Sequence, residues 1–413
     1  MRTVTIVAVH SAETQEIYEL VRERIAPHLP ALAACKNSAE LWGLDLYRAL
    51  EPDIRRVLDT PEIGNFRRCQ GAAPAHRQYR FVAWNVERGA QFEGQVEALR
   101  THPVLREADV LLLTETDSGM VRSGNRNVAR ALACALGMQY AFVPCYLNLT
   151  KGSGIEQDLT GSNDVGLHGN AVLSRYPMGN IRPVFLENGV DIMASREKRI
   201  GRQAAVAADI RFPNATVTAV SVHLDAQSTQ RHRFLQLRDV LDSIDAGADT
   251  KADTKTGGQA VVVGGDWNTS TYNSSRAVHA ILGFWLRVLM GVDNVIRNHY
   301  LHPYNRFERD LFRLLEKRGF DYRECNRLGE HTVSYDVDDL RATKALRDWV
   351  PGWCFHFIRW ALRDHGGRCP VKLDWFATRG VRCRNPVVIH DVREGRAVPL
   401  SDHDAIAVDI LAG

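Results

Sequence analysis

The chain has 413 residues, 45% hydrophobic and 24% charged, the balance of an ordinary globular protein long enough to bury a large core. Its net charge of +3 is too small to argue for a nucleic-acid partner by itself. No apolar run is long enough to cross a bilayer, MRTVTIVAVH lacks the features of a signal peptide, and the eight cysteines form no CxxC pair.

Those exclusions leave a soluble cytoplasmic protein with reduced thiols as the expectation. Residues 11–60 read as helices, with apolar residues three and four apart in SAETQEIYELVRERIAPHL and SAELWGLDLYRALEPDIRRVLD. Ser11 and Ser38 are placed as N-caps, and Pro27 and Pro52 as punctuation. No catalytic constellation lies there, so 1–78 is expected to be a helical extension ending in a linker at 62–78. No obligate protein partner is indicated.

From Tyr79 short apolar strands recur: YRFVAWNV, ADVLLLTET, HGNAVLS, AVAADIRF, ATVTAVSVHL, QAVVVGGDW, KLDWFAT and AIAVDIL. Helical stretches such as GNRNVARALACALG and RHRFLQLRDVLDSI lie between them, which predicts an α/β fold of sheets covered by helices. DAGADTKADTKTGG reads as a polar loop. Residues 271–372 form an insert with 17 Lys and Arg against 12 Asp and Glu, and with Trp285, Trp349, Trp353 and Trp360, four of the eight tryptophans. Its segment 277–296 reads as an apolar helix. These aromatics either pack the insert onto the sheets or stack bases and sit on lipid.

Separate apolar strands are bordered by carboxylate, Asn or His residues. WNVERG sets Asn85 and Glu87 two apart, LLLTETD ends in Glu115 and Asp117, and SVHLD carries His223 and Asp225. VVVGGDWN carries Asp266 and Asn268, KLDWF carries Asp374, and LSDHD carries Asp402 and His403. One polar residue at a strand end is ordinarily a turn former. The combination is different: oxygen ligands without cysteine suit Mg²⁺ or Mn²⁺, and histidines beside them supply proton transfer or phosphate hydrogen bonds. That is the equipment for metal-assisted attack of water on phosphorus.

The ordered series WNVERG, LLLTETD, GNAVLSRYP, SVHLD, GGDWN, KLDWF and SDHD resembles the endonuclease/exonuclease/phosphatase (DNase I-like) superfamily, over residues 79–413. The resemblance implies a four-layer αββα sandwich, two packed mixed β-sheets flanked by helices, with the site at one end of the sheets. It implies Glu115, Asn85 and Asp402 as metal ligands, Asp266 orienting or deprotonating the water, and Asn268 holding the phosphate. It makes His403 the histidine at the scissile phosphate, oriented by Asp374, and His223 the second histidine. Asn170 is carried as a phosphate-side candidate and Glu87 as a position that varies among relatives.

Departures narrow the branch. The His of SVHLD stands where abasic-site endonucleases carry an Asn-containing motif. Thr269 and Ser270 replace the Asn-Tyr-Arg continuation of inositol polyphosphate 5-phosphatases, so the chain looks nearer to DNase I and neutral sphingomyelinase. The expectation is a phosphodiesterase acting on nucleic acid, or alternatively on a phospholipid headgroup with membrane contact through 277–296. An inactive binding module and a structural protein working through its N-terminal helices are the competing classes, and both leave the intact motif series unexplained.

Overall fold

The eight runs above all form strands, and most of their residues are buried on both faces, as in a sheet sandwiched between other layers. The computed structural model describes residues 12–67, 76–249, 259–270, 289–336 and 354–411. Residues 277–288, Trp285, Trp349, Trp353 and most of the doubled-ADTK loop lie outside them.

The larger sheet has the order β1 (Glu62–Asn65), β4 (Gln139–Asn148), β5 (Leu167–Ser174), β3 (Val110–Ser118), β2 (Gln78–Arg88), β15 (Ala405–Leu411) and β14 (Arg382–Ile389), with β7 (Arg199–Gly201) also on β4. The smaller sheet runs β13 (Asp374–Arg379), β10 (Val261–Asp266), β9 (Thr216–Ser221), β8 (Ala204–Arg211) and β6 (Met178–Phe185). Both are mixed: β2 pairs β3 in parallel and β10 pairs β9 in parallel, while the other pairs are antiparallel. A separate two-stranded sheet pairs β11 (Val333–Asp336) with β12 (Arg368–Val371), antiparallel.

Three apolar layers follow from this stacking. Phe81, Leu112 and Val172 meet Val206, Ala219 and Phe376 between the sheets. Outside the larger sheet, Val82, Leu111 and Phe142 share a core with Val96, Leu99 and Leu132 of the helices Phe92–Thr101 and Val128–Leu136. Outside the smaller sheet, Val220, Val261 and Trp375 pack on Leu237 and Leu241 of helix Gln230–Asp249 and on Phe312 and Leu315 of helix Arg309–Lys317. The order is helix, sheet, sheet, helix, the αββα sandwich the motifs imply.

The N-terminal helices belong to the outer layer of the larger sheet. Val21, Ile25, Ile54 and Val57 are buried in the same core as Leu111 and Phe142. Residues 62–65, read above as linker, form β1 and pair with β4 instead. Pro52 does not end a helix but lies inside Asp45–Asp59. The buried face Tyr47, Leu50, Ile54, Val57 and Leu58 holds that helix on the sheet and offsets a cost of about 3 kcal/mol for an interior proline. Asn37, not Ser38, caps the helix Ser38–Gly43, its side chain accepting the Glu40 N–H at 2.9 Å. Among the described residues the aromatics of the insert divide: Phe312 and Tyr322 pack on Trp375, whereas Phe357 and Trp360 are exposed.

Lys372, between β12 and β13, is fully buried and its Nζ has no hydrogen-bond partner, lying 4.8 Å from the centre of the Trp375 ring. Burial pulls its ammonium down to about 8, from the usual value of about 10.4. The folded protein therefore pays to keep Lys372 charged below about pH 8, and the penalty fades as pH rises from there toward 10. Lys372→Met should raise thermal stability at pH 7 by about 1–3 kcal/mol, with the gain shrinking above pH 8. Thermal melts of both proteins across pH 6–10 check this, and a destabilised variant at pH 7 would contradict it.

Candidate active site

The site forms where three strands stop. Asn85, Glu115 and Asp266 sit at or near the C-terminal ends of β2, β3 and β10, and Asn85 Nδ2 donates to Glu115 Oε1 at 3.1 Å and to Asp266 Oδ2 at 3.2 Å. The ladders break here: register shifts fall between Asn85 and Arg88 and between Leu113 and Thr116. Glu87, Arg88, Glu115, Asn268 and Ser270 all adopt positive φ, five of the eight such non-glycine residues described. A left-handed φ costs about 1–3 kcal/mol per residue, and its clustering marks a functional site. It also breaks the two-residue alternation of a strand, which turns Glu115 and Asp117 to different surroundings.

Asp266 Oδ2 is the hub. Besides Asn85 it faces His223 Nε2 at 3.5 Å and His403 Nε2 at 3.6 Å, while Asp266 Oδ1 accepts the Asn268 N–H at 2.9 Å. Burial and the neighbouring Asp374 raise the Asp266 carboxyl to about 6, against the opposing pull of the two histidines. His403 Nδ1 lies 2.8 Å from Asp374 Oδ2, and Asp374 stands opposite Asp266 across the β10–β13 ladder. Burial alone would lower the His403 pKa, but Asp374 and Asp266 outweigh it and hold the imidazole well above its ordinary value. The pair is fixed from behind. Trp84 Nε1 donates to the His403 carbonyl at 3.1 Å, and Thr332 Oγ1 accepts the N–H groups of Leu373 and Asp374 at 3.0 and 3.1 Å.

Beside the hub lies a group of carboxylates. Glu115 is 4.0 Å from His223 Nε2, and Arg88, His223, His168 and the Asn85 amide overcome its burial to hold it down at about 2. Glu87 Oε2 accepts the backbone N–H of Asp402 at 3.1 Å. Burial, Asp402 and Glu115 push the Glu87 carboxyl up to about 7. Glu115, His223 and Asp266 each present an atom within 4.8 Å of the others, and so do Asp266, Asp374 and His403. Asn85, Glu115, His223, Asp266, Asp374 and His403 thus converge directly, with Asp402 joined through Glu87.

Three polar residues of the motifs, Asn170, Asp117 and Asp225, face elsewhere. Asn170 is buried between the sheets, where Nδ2 donates to the Ala204 carbonyl at 2.8 Å and Oδ1 accepts the Glu115 N–H at 3.4 Å, so it braces the strained turn of Glu115. Asp117 is wholly buried between Arg122, which it accepts at 2.8 and 3.0 Å, and His168 Nδ1 at 2.8 Å. Asp225 accepts the N–H groups of Gly189 at 2.7 Å and Gln227 at 2.9 Å, which fastens the loops beside helix Gln230–Asp249. Asn268, with Nδ2 donating to the Leu224 carbonyl at 2.9 Å, ties the ends of β9 and β10 together.

The motif reading passed over Arg88, whose Nε is 3.9 Å from Glu115 Oε2 and whose Nη1 binds Glu156 at 2.7 Å. It sits inside WNVERG, directly after Glu87, and that adjacency was the available signal. Thr332 carries none, being a threonine in the insert outside every motif. Ser401 was legible only as part of Ser-Asp-His; its Oγ donates to the Asn85 carbonyl at 2.6 Å and accepts the His403 N–H at 3.1 Å.

No curated protein matches the sequence. Solved structures align over most of the chain at low identity. An endonuclease/exonuclease/phosphatase family protein from Leptotrichia buccalis has 11% identity and a TM-score of 0.44, with 80% of this chain and 98% of that one covered. A conserved protein of unknown function from Enterococcus faecalis has 11% identity and a TM-score of 0.45, with 81% and 100% covered. An AP endonuclease from Archaeoglobus fulgidus has 14% identity and a TM-score of 0.43, with 80% and 98% covered. The sequence model of the Endonuclease/Exonuclease/phosphatase family matches residues 82–403, from two residues before WNVERG to the histidine of Ser-Asp-His. The chain belongs to that family, whose members hydrolyse phosphoester bonds.

Proposed function

We propose that the chain is a Mg²⁺-dependent phosphodiesterase that cleaves nucleic acid by attack of water on phosphorus. The observation that carries this reading is the position of Asp266 Oδ2, shared by two imidazole Nε2 atoms and the Asn85 amide beside Glu87, Glu115 and Asp402. A carboxylate flanked by histidines can take the proton of a water, and imidazoles aimed at the same point can meet the charge that develops on phosphate. Asp266 orients the water and receives its proton. His403, kept protonated by Asp374, donates to the phosphate oxygens opposite, and His223 and Asn268 complete the phosphate's hydrogen bonds.

The oxygen donors fit a hard divalent cation. Glu115, Asp402 and Asn85 would hold it, with Glu87 alongside, and bound Mg²⁺ would polarise the phosphoryl group. Asn85 Oδ1 accepts the Glu87 N–H at 3.0 Å, so as a ligand it would use its second lone pair. Burial, together with the charges of Asp402 and Glu115, raises the Glu87 carboxyl, and a divalent cation would offset those charges.

Nucleic acid is favoured by the basic excess of the 271–372 insert. A phospholipid headgroup is the second reading. Helix Cys354–Ala361 exposes Phe357 at 44% and Trp360 at 57%, with the Arg363 guanidinium 5.3 Å from the Trp360 ring, a combination suited to a membrane surface. No helix among the described residues is long and apolar enough to cross a membrane.

The test is a turnover screen with Mg²⁺ or Mn²⁺ over single- and double-stranded DNA, RNA, sphingomyelin vesicles, inositol phosphates and a bis-aryl phosphodiester. Activity should vanish in EDTA and return with Mg²⁺. Preference for DNA or RNA, with an affinity that falls steeply with salt, supports the first reading. Turnover of vesicles alone supports the second, and undiminished turnover in metal-free buffer refutes the mechanism.

A further inference from the structure

We propose that His331, His390 and Asp404 form a second metal site, behind the catalytic histidine, that takes a borderline divalent ion such as Zn²⁺. They come from three separate segments: the loop before β11, the turn His390–Val392, and the residue immediately before β15. One nitrogen of each imidazole and one oxygen of Asp404 lie within 4.8 Å of one another. Asp404 is fully buried and both histidines are partly buried.

The surroundings are those of metal-binding imidazoles. A ligating histidine normally gives its other ring N–H to a carboxylate, which fixes the tautomer and raises its basicity. Both histidines have such a carboxylate: His390 Nε2 lies 3.1 Å from Glu330 Oε1, and His331 Nε2 lies 3.4 Å from Glu394 Oε1. The rings stack with centroids 4.7 Å apart, an arrangement that two imidazolium ions would resist and two neutral ligands accept. His390 Nδ1 is 2.7 Å from Asp404 Oδ2, closer than the separation of about 3.3 Å between ligands on a tetrahedral zinc. Ion binding therefore displaces the proton those two atoms share, and His390 keeps its other proton on Nε2, toward Glu330.

Charge favours a cation here. Glu330, Glu394 and Asp404 face the two rings. Arg393 binds both Asp404 oxygens, at 2.9 and 2.8 Å, and Arg327 lies 3.3 Å from Glu330. Arg393 orients Asp404, and the two guanidiniums offset two of the three charges, leaving one net negative charge beside the rings. Two nitrogens and one oxygen select zinc-like ions over Mg²⁺, which prefers an all-oxygen shell.

The site is separate from the carboxylates around Glu115 yet mechanically joined to the catalytic pair. Asp404 follows His403 in the chain, and its N–H donates to the Thr332 carbonyl at 2.8 Å, while the Thr332 hydroxyl holds the backbone of Asp374. An ion here would clamp the insert loop to the strand that carries His403.

The experiment is a calorimetric titration of the chelator-stripped full chain with Zn²⁺ in excess Mg²⁺, with Co²⁺ absorption as a report on coordination. The proteins are wild type, Glu115→Gln, His331→Ala and His331→Cys. Wild type and Glu115→Gln should each bind one equivalent of Zn²⁺ with a rise in melting temperature. His331→Ala should bind at least about tenfold more weakly, and His331→Cys, which keeps a ligand, should retain binding and cover the case in which alanine impairs folding. Absence of Zn²⁺ binding in wild type overturns the proposal, as does unchanged binding in His331→Ala or its loss in Glu115→Gln.

Discussion

His403→Ala is expected to lower kcat by about 10²–10⁴, the range for a positioned group that transfers a proton or meets transition-state charge. Its Nε2 faces Asp266 at 3.6 Å and its Nδ1 is committed to Asp374 at 2.8 Å, so substitution removes the proton donor and strands a buried carboxylate. Asp374→Asn should cost less, because the imidazole remains while its charge and orientation weaken. The double variant should lose little more than His403→Ala alone, as residues acting as one unit do. His223→Ala should fall in the same range as His403→Ala. A kinetic cycle at saturating Mg²⁺, with circular dichroism to verify folding, measures all of this. Additive losses for Asp374 and His403 would break the pair, and a wild-type rate in either histidine variant would remove that histidine from the mechanism.

Glu115→Gln should lower kcat/KM by about 10³, since a metal that polarises the phosphoryl group is worth several kcal/mol. Stability should barely move. The variant gives up attraction to Arg88 and His223, but it also relieves Glu87 and Asp402 of a third negative charge, and Arg88 keeps Glu156. The net change in metal-free buffer should be about 1 kcal/mol or less, typical of substitutions outside the core. Calorimetric Mg²⁺ titration and thermal melts separate the two quantities. A large drop in melting temperature with activity intact would make Glu115 a structural residue.

The strands legible in the sequence are the ones buried on both faces, such as VLLLTETDS and AIAVDIL. The strands that escaped are short, at an edge, or interrupted. β6 and β14 are edge strands with a left-handed asparagine, Asn180 or Asn385, where the register slips. β4 carries Pro144 at its own register shift, so its apolar run did not read as a strand. Within the site, residues at strand ends were legible because each borders an apolar run. Asp117 misled because the two-residue period fails where Glu115 turns left-handed, a conformation no local pattern announces, and Asn170, expected from the resemblance, spends its amide on the Ala204 carbonyl and the Glu115 N–H. Arg88 and Thr332 act through contacts between segments far apart in the chain, which spacing along a sequence does not encode.

The pairing of β1 with β4 has a practical consequence. Residues 62–65 cover the backbone of Gln139–Phe142 along the outer margin of the larger sheet, and Ile25, Ile54 and Val57 cover its apolar face. A chain cut back to the catalytic motifs at about residue 79 would bare an unpaired strand beside a greasy surface, the combination that drives sheet-to-sheet association. Recombinant material shortened in this way should aggregate or express poorly even with residues 82–403 intact, which would make the N-terminal segment a built-in guard against self-association.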